Sequence, residues 1–592
     1  MKDLSWSKFL KLLNESSFLF TLILLIIITV AVTAYKIKIQ MEIGLMWDAF
    51  SFLTNAQFFA GHGFHIELIR PVFLSFVSSL LFRMGYVSTV TISIVDGAFF
   101  VLGVIGLFLL LKQRFNDLQS LLGSLIFISF PVVLLWVGVG YTDIASTSLS
   151  IWALYFTVLA VKKNPKFFYS VFPLLMLTFL TRFPAAITIF PILFYVLINR
   201  SYIKNLKEIS IGIGISLIII TPVLIFWYKM MGNPFLPVLG TYSATRGSSV
   251  NWFSYNLDPF YYVKNAFYCF LNMNFLNNPS LSVFISFILL EIVIIYSIVM
   301  GLVIYLHKIS RIKRNGLKNS ENPLKSIKTK IKGLMLFALA LIFIFSINKV
   351  NYLLSDVLFI ILMYFVYKIL KNDELKFLDI DFLVLTWLIS YLIFSSVFQI
   401  KVCRYFIPMA PAVAYFMTLG ITEFFSKINF KIKKTHLSSI LTLALMVVFS
   451  VFTGAYLYHI GHDPLANGSN FNLSHGKFEI TSEHYDGELY YETYNTTELK
   501  TVSNWLESYD PNYKSKIIYS DYFGPHLSWY LKTHVRVIMI NDTGDYLNNE
   551  LKNQKADYYI SMLYKIKLKD YSKIKIFPTK FGDITVYKRL DE

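Results

Sequence analysis

The chain alternates long apolar runs with short polar connections. Thirteen runs approach the ~20 residues with which a helix crosses a bilayer: 17–35, 88–111, 118–138, 144–161, 167–181, 184–198, 209–228, 281–306, 333–348, 352–370, 380–398, 405–425 and 437–457. Pro131, Pro184, Pro191, Pro222, Pro408 and Pro411 interrupt several of them, so about thirteen helices are expected, some of them broken. The first run follows Lys2, Lys8 and Lys11; it is long and has no small-residue cleavage pattern, which marks a retained helix rather than a signal peptide.

The connection 36–87 carries a different pattern. Trp47 to Ala60 places apolar residues at 47, 50, 53, 56, 59 and 60, the face of a helix lying on the membrane. Pro71 to Met84 is apolar but short and contains Arg83, which suits a surface or partly inserted helix better than a span. After residue 458 the pattern changes again. Strand-like runs at 516–522, 535–540, 557–561 and 583–588 alternate with helix-like runs near 497–508, 524–532 and 545–553, predicting a small α/β domain over 459–592.

Composition sharpens this division. The chain is 56% hydrophobic and 15% charged, with mean hydropathy +0.57, against about 45–50% and about 25% in soluble domains. A soluble enzyme is thereby excluded. The two cysteines, Cys269 and Cys403, are too few for a disulfide framework or a thiolate metal site.

The formal charge of +18 changes meaning once it is located. Residues 459–592 hold 16 Lys+Arg and 18 Asp+Glu, whereas residues 1–458 hold 38 and 18. Placing alternate connections on one side (1–16, 112–117, 162–166, 199–208, 307–332, 368–379 and 426–436) gathers 27 of those 38 basic residues there. Basic residues collect on the cytoplasmic side. The N-terminus is therefore expected in the cytoplasm, and the loop 36–87 and the C-terminal domain outside. The basic excess marks topology and anionic lipid contact, with no nucleic-acid partner. Sequons at Asn467, Asn472, Asn495 and Asn541 agree with an external domain.

The remaining polar residues then stand out at one expected membrane face: Asp48, His62, His65, Glu67 and Arg70 in the first loop, Asp143 in the turn before the fourth run, Arg182 at a hairpin tip, and Arg404 opening a late run. Carboxylates there can orient and deprotonate a hydroxyl or hold a cation. Guanidinium groups suit a phosphate. Together they describe a site for a lipid-linked anionic substrate whose tail stays in the bilayer.

These residues carry a family resemblance. Trp47-Asp48-Ala49, the aromatic stretch Phe50–Phe59, Arg70-Pro71 and the apolar Leu74–Gly85 resemble, in order, the first external loop of GT-C-type glycosyltransferases. The similarity is to the protein O-mannosyltransferase and lipid A aminoarabinose transferase group. TDIASTSLSIWALYF at 142–156, LTRFPAAITIFPILFYVL at 180–197 and CRYFIPMAPAVAYF at 403–416 resemble that group's later site segments. The resemblance implies an α-helical polytopic membrane protein of GT-C-like fold, with an extracytoplasmic α/β domain after the last span. It implies a polyprenyl (dolichyl or undecaprenyl) phosphate sugar as donor and a protein, glycan or lipid hydroxyl as acceptor, with inverting transfer. Asp48 would be the catalytic acidic residue, Asp143 the second, and Arg70, Arg182 and Arg404 the lipid-phosphate contacts.

Two departures are visible. Asp48 is followed by Ala49 where many members have a second acidic residue. The Trp-Trp-Asp motif of oligosaccharyltransferases is replaced by Asn504-Trp505-Leu506 and Ser528-Trp529-Tyr530.

Structural readings stand beside these. Asp48 and Asp143 also suit helix N-termini. The arginines, Arg83 above all, suit headgroup anchoring. His65 and Glu67, with His62, form a His-x-x-His-x-Glu stretch that fits a divalent cation, an acceptor contact or a solvated loop. Asp96 and Glu291 lie inside spans and are left unassigned. A secondary transporter or flippase is the rival function. Transporters, however, place binding residues near the bilayer midplane in repeated halves, whereas these lie at one face. A non-catalytic envelope protein is a third reading.

Overall fold

The structure is a computed structural model. It describes residues 18–45, 47–200, 206–239, 258–264, 281–318, 323–347, 349–371, 375–398, 401, 403–428, 431–432, 435–462, 496–521, 523–538, 545–561, 567–579 and 583–590. The four sequons, Cys269, the basic start of the chain and much of the connection 229–280 lie outside these residues.

The apolar runs form helices α1 (Phe18–Ile43), α2 (Trp47–Ala60), α3 (Phe73–Arg83), α4 (Thr89–Leu111), α5 (Asp117–Ser129), α6 (Pro131–Trp136), α7 (Thr142–Lys162), α8 (Phe168–Thr181), α9 (Ile189–Ile198) and α10 (Lys207–Met231). They continue as α11 (Leu281–Lys318), α12 (Pro323–Ser346), α13 (Tyr352–Leu370), α14 (Leu378–Val397), α15 (Ala410–Ser426) and α16 (Leu437–His462), with a two-residue hairpin, β1 (Lys431–Ile432) and β2 (Thr435–His436), before α16. Among the described residues, nine helices are long and apolar enough to cross a membrane. The other four of the thirteen runs are shorter apolar helices, at 117–129, 165–181, 183–198 and 333–346. The shortfall has a local cause in two of them. Pro131 divides the run 118–138 into α5 and α6, and a 3-10 segment, Phe183–Thr188, precedes α9; Pro removes a helical N–H and clashes with the preceding turn.

Helix ends are set by side chains. Asn116 and Gln119 form a capping box at α5, and the Ser88 side chain accepts from the Val90 amide at α4, each satisfying an orphan N–H. α4 packs along α7, and α7 along α8.

The first loop departs from expectation. Helix α2 does not lie on a surface: Ala49 to Gln57 are buried on every side, because the C-terminal domain covers the face turned away from the bundle. Helix α3 keeps the expected character, with Leu74 and Phe82 buried and Phe76 and Leu80 exposed. Arg83 is exposed, and its Nη2 donates to the Phe59 carbonyl at 2.6 Å, capping the end of α2.

The C-terminal residues contain α17 (Thr496–Tyr509), β3 (Ile518–Ser520), α18 (Gly524–Leu531), β4 (Val535–Val537), α19 (Asp545–Asn553), β5 (Tyr558–Ser561), β6 (Tyr571–Phe577) and β7 (Ile584–Arg589). The sheet order is β4-β3-β5-β7-β6, with β3 parallel to β4 and β5, and β7 antiparallel to β5 and β6. Strand β6 was not anticipated. It is an edge strand whose Lys573 and Lys575 suit an unpaired edge but dilute the apolar signal. Helix α18 packs on α2. The Phe50 and His526 rings lie 4.1 Å apart, and His65 stacks on His534 at 3.6 Å with planes 7° apart.

Candidate active site

Chain direction brings four distant segments to one end of the bundle. Asp48 starts α2 just after α1 ends; Asp143 starts α7; Arg182 follows the end of α8; and Arg404 lies in the 3-10 segment Cys403–Met409 that leads into α15.

Asp48 is the meeting point. Its Oδ1 lies 2.7 Å from Arg70 Nη2 and its Oδ2 3.8 Å from Arg404 Nη1. Its amide donates to the Tyr141 hydroxyl at 3.4 Å. Arg70 is shared with Glu67, Nε to Oε2 at 3.3 Å. Glu67 is gripped by α2: Asn55 bonds its carbonyl and amide at 3.0 and 2.7 Å, and Ser51 Oγ donates to Oε1 at 3.0 Å. Burial disfavours the charge on Arg70, but Asp48 and Glu67 override it and hold its pKa above the ordinary guanidinium value.

The second pair is Asp143 and Arg182, Oδ1 to Nη1 at 2.5 Å. Tyr405 joins the pairs, its ring centroid 5.0 Å from the Arg182 guanidinium carbon and 5.7 Å from that of Arg404. Arg404 also faces Trp136 at 5.3 Å and Tyr141 at 5.1 Å. Side-chain exposure separates the two carboxylates: 19% for Asp48 and 1% for Asp143. Asp48 is thus partly exposed, whereas Asp143 is sealed behind Arg182.

Asp96 shapes the turn before α7. One oxygen, Oδ2, accepts from the amides of Gly138 at 2.9 Å and Gly140 at 3.4 Å. Both glycines are left-handed, with φ of +75° and +82°, a conformation that costs other residues more. The turn links Trp136, which ends α6, to Tyr141, which caps α7, and to Asp143 in the first turn of α7.

All five predicted carboxylate and arginine positions, Asp48, Asp143, Arg70, Arg182 and Arg404, therefore converge. His65 and Glu67 lie beside them in other roles: His65 stacks on His534, and Glu67 positions Arg70. Among the described residues no group of three or more His, Cys, Asp and Glu is gathered for an ion. Trp136, Tyr141 and Tyr405 escaped sequence reasoning, because an aromatic beside an apolar run carries no signal until a cation is placed on its face.

A second polar cluster lies toward the other end of α15, where Glu423 is ~20 Å along the helix from its first residue. Arg114 meets Asp381 at 3.3 Å and Glu423 at 3.6 Å, and the Tyr305 and Tyr415 hydroxyls donate to Asp381. It joins the turn after α4 to α11, α14 and α15.

Residues 69–226 match the family model described as dolichyl-phosphate-mannose-protein mannosyltransferase. No curated protein matches the chain. Among solved structures, ArnT from Cupriavidus metallidurans bound to undecaprenyl phosphate is similar over 95% of this chain and 97% of its own, at 10% identity and a TM-score of 0.52. The archaeal oligosaccharyltransferase AglB from Archaeoglobus fulgidus, in complex with an inhibitory peptide and a dolichol-phosphate, covers 94% of this chain and 70% of its own, at 12% identity and a TM-score of 0.47. The chain has the GT-C fold that its first-loop residues resemble.

Proposed function

We propose that this protein is a polyprenyl-phosphate-dependent glycosyltransferase of hexosyltransferase type. It takes a sugar from dolichyl or undecaprenyl phosphate and passes it, with inversion, to an acceptor hydroxyl on the extracytoplasmic face. The observation that carries this reading is the Asp48–Arg70–Arg404 contact: an accessible carboxylate flanked by two guanidinium groups at one end of a membrane bundle. The family-model match and the ArnT-like fold support it. The distribution of basic residues supports a cytoplasmic N-terminus and an external site.

In this scheme Asp48 accepts the proton of the acceptor hydroxyl as its oxygen attacks the anomeric carbon. The bond from that carbon to the phosphate oxygen breaks, and polyprenyl phosphate leaves with the electron pair. Arg404 and Arg182, held against Tyr405, neutralise the departing phosphate. Arg70 fixes the Asp48 carboxylate, and Asp143 holds Arg182 in place.

The test is transfer from a panel of polyprenyl-phosphate sugars in purified membranes, wild type against Asp48→Asn. Loss of transfer is expected. Equal transfer by the variant would remove the catalytic assignment, and solute flux without transfer would make the protein a transporter.

A further inference from the structure

Beside the candidate site, the first loop and the C-terminal domain enclose a cavity of about 420 Å³, within the ~300–1,000 Å³ of small-molecule sites. Trp47, Thr54, Glu67 and Arg70 line it from the loop, His534 and Val537 from the domain. We propose that it binds a neutral saccharide, the glycan end of the acceptor. The word acceptor rests on the glycosyltransferase reading; the saccharide site does not.

Position supports the role. Arg70 both lines the cavity and bonds Asp48 at 2.7 Å, and Trp47 is the residue before Asp48. A sugar seated here presents a hydroxyl next to the proposed base. The opposite wall belongs to the domain, so the ligand is read by both parts of the chain.

Charge identifies the class. The lining cation and carboxylate, Arg70 and Glu67, are paired with each other. Burial lowers the pKa of both His65 and His534, leaving neutral imidazoles in the lining at neutral pH. An ionic ligand would lose hydration without a new partner. A saccharide carries no such cost. Its hydroxyls both donate and accept, matching a carboxylate, a hydroxyl and neutral imidazoles, and the Trp47 indole offers an apolar plate with a polar edge.

The same wall disfavours an extended peptide. Strand β4 is the sheet edge lining the cavity, and peptides dock on such edges through main-chain bonds. Here the Val535 amide donates to Ser528 Oγ at 2.9 Å and Ser528 Oγ donates to the Val535 carbonyl at 3.4 Å. The ladder is already taken at that point.

Saturation-transfer NMR on the full chain in lipid nanodiscs tests this, with methyl hexosides, neutral disaccharides and a serine-containing tetrapeptide as probes. At least one saccharide is expected to bind, about tenfold more weakly in Trp47→Ala and in the cavity-filling Val537→Phe. Trp47→Phe restores binding, and each variant keeps the wild-type detergent melting temperature, which separates a lost contact from a lost fold. Binding of the peptide alone, of no probe, or of saccharides equally well in both weakened variants overturns the proposal. Displacement of the hexoside by a polyprenyl-phosphate sugar would assign the cavity to the donor and overturn the acceptor role. Saccharide binding without any transfer activity would uphold the cavity and remove the glycosyltransferase reading.

Discussion

Arg70 Nη2 sits 2.7 Å from Asp48 Oδ1 while its Nε reaches Glu67 Oε2 at 3.3 Å, so one guanidinium bridges two carboxylates of the first loop. Arg70→Gln breaks the bridge and leaves two partly buried carboxylates adjacent. Transfer by purified protein should fall about 10- to 100-fold in kcat, since one precisely held charged contact is worth ~1.5–3 kcal/mol. Wild-type kcat in this variant would show that Asp48 needs no such anchor.

Arg404 offers a different test, because Lys cannot lay a planar group on Trp136, Tyr141 and Tyr405 together. Arg404→Lys should raise the KM for a polyprenyl-phosphate donor about tenfold and change the acceptor KM little. A donor KM like that of wild type would separate Arg404 from the phosphate.

Asp96 touches no substrate and acts through the Gly138–Gly140 turn. Asp96→Leu orphans two amides, each costing ~1–3 kcal/mol, and should lower the detergent melting temperature together with kcat. Asp96→Asn keeps an acceptor oxygen and should recover much of both. Equal losses in the two variants would mean that the amide contacts are not what matters.

The docking of the C-terminal domain should weaken in acid. Burial, with His65 and Arg536 beside it, lowers His534 to about 4, and burial lowers His65 as well. An unfolded or undocked histidine takes up its proton near 6.5. Between that value and about 4 the undocked state binds more protons, so docking stability is full above about 6.5 and declines as pH falls. Hydrogen exchange in α18 read from pH 7 to pH 4.5 should accelerate, and less so in His534→Phe. A flat profile would contradict the burial of this pair.

At the far end of the bundle, Arg114→Ala leaves Asp381 and Glu423 without their guanidinium. The expected loss is ~3–5 kcal/mol of stability, with the kcat of the surviving folded protein unchanged. A drop in kcat at constant melting temperature would assign this cluster a role in the reaction.

Much of the helical layout was legible because hydropathy runs are a local property: each of the thirteen runs falls on helix. Strands β3, β5 and β7, largely buried and rich in Tyr, Ile and Val, were equally readable, as was β4 with Val535 and Val537. Asp48, Asp143, Arg70, Arg182 and Arg404 were legible for a related reason. Charge beside a membrane span is costly, so it stands out without coordinates. Edge strand β6 and the buried state of α2 were not legible, since each depends on what lies alongside.

The sequence by itself determined a membrane bundle followed by an α/β domain, and which charged residues gather at one end. Tertiary structure alone decided their pairing: Arg70 with Asp48, Arg182 with Asp143, and Tyr405 between the two pairs. It also decided that Asp48 is partly exposed and Asp143 sealed, and that His65 meets His534 across 469 positions. Runs and charges report the solvent each segment needs, which is encoded locally. Partners depend on which helix ends pack together, and that follows from shape complementarity among segments far apart in the chain.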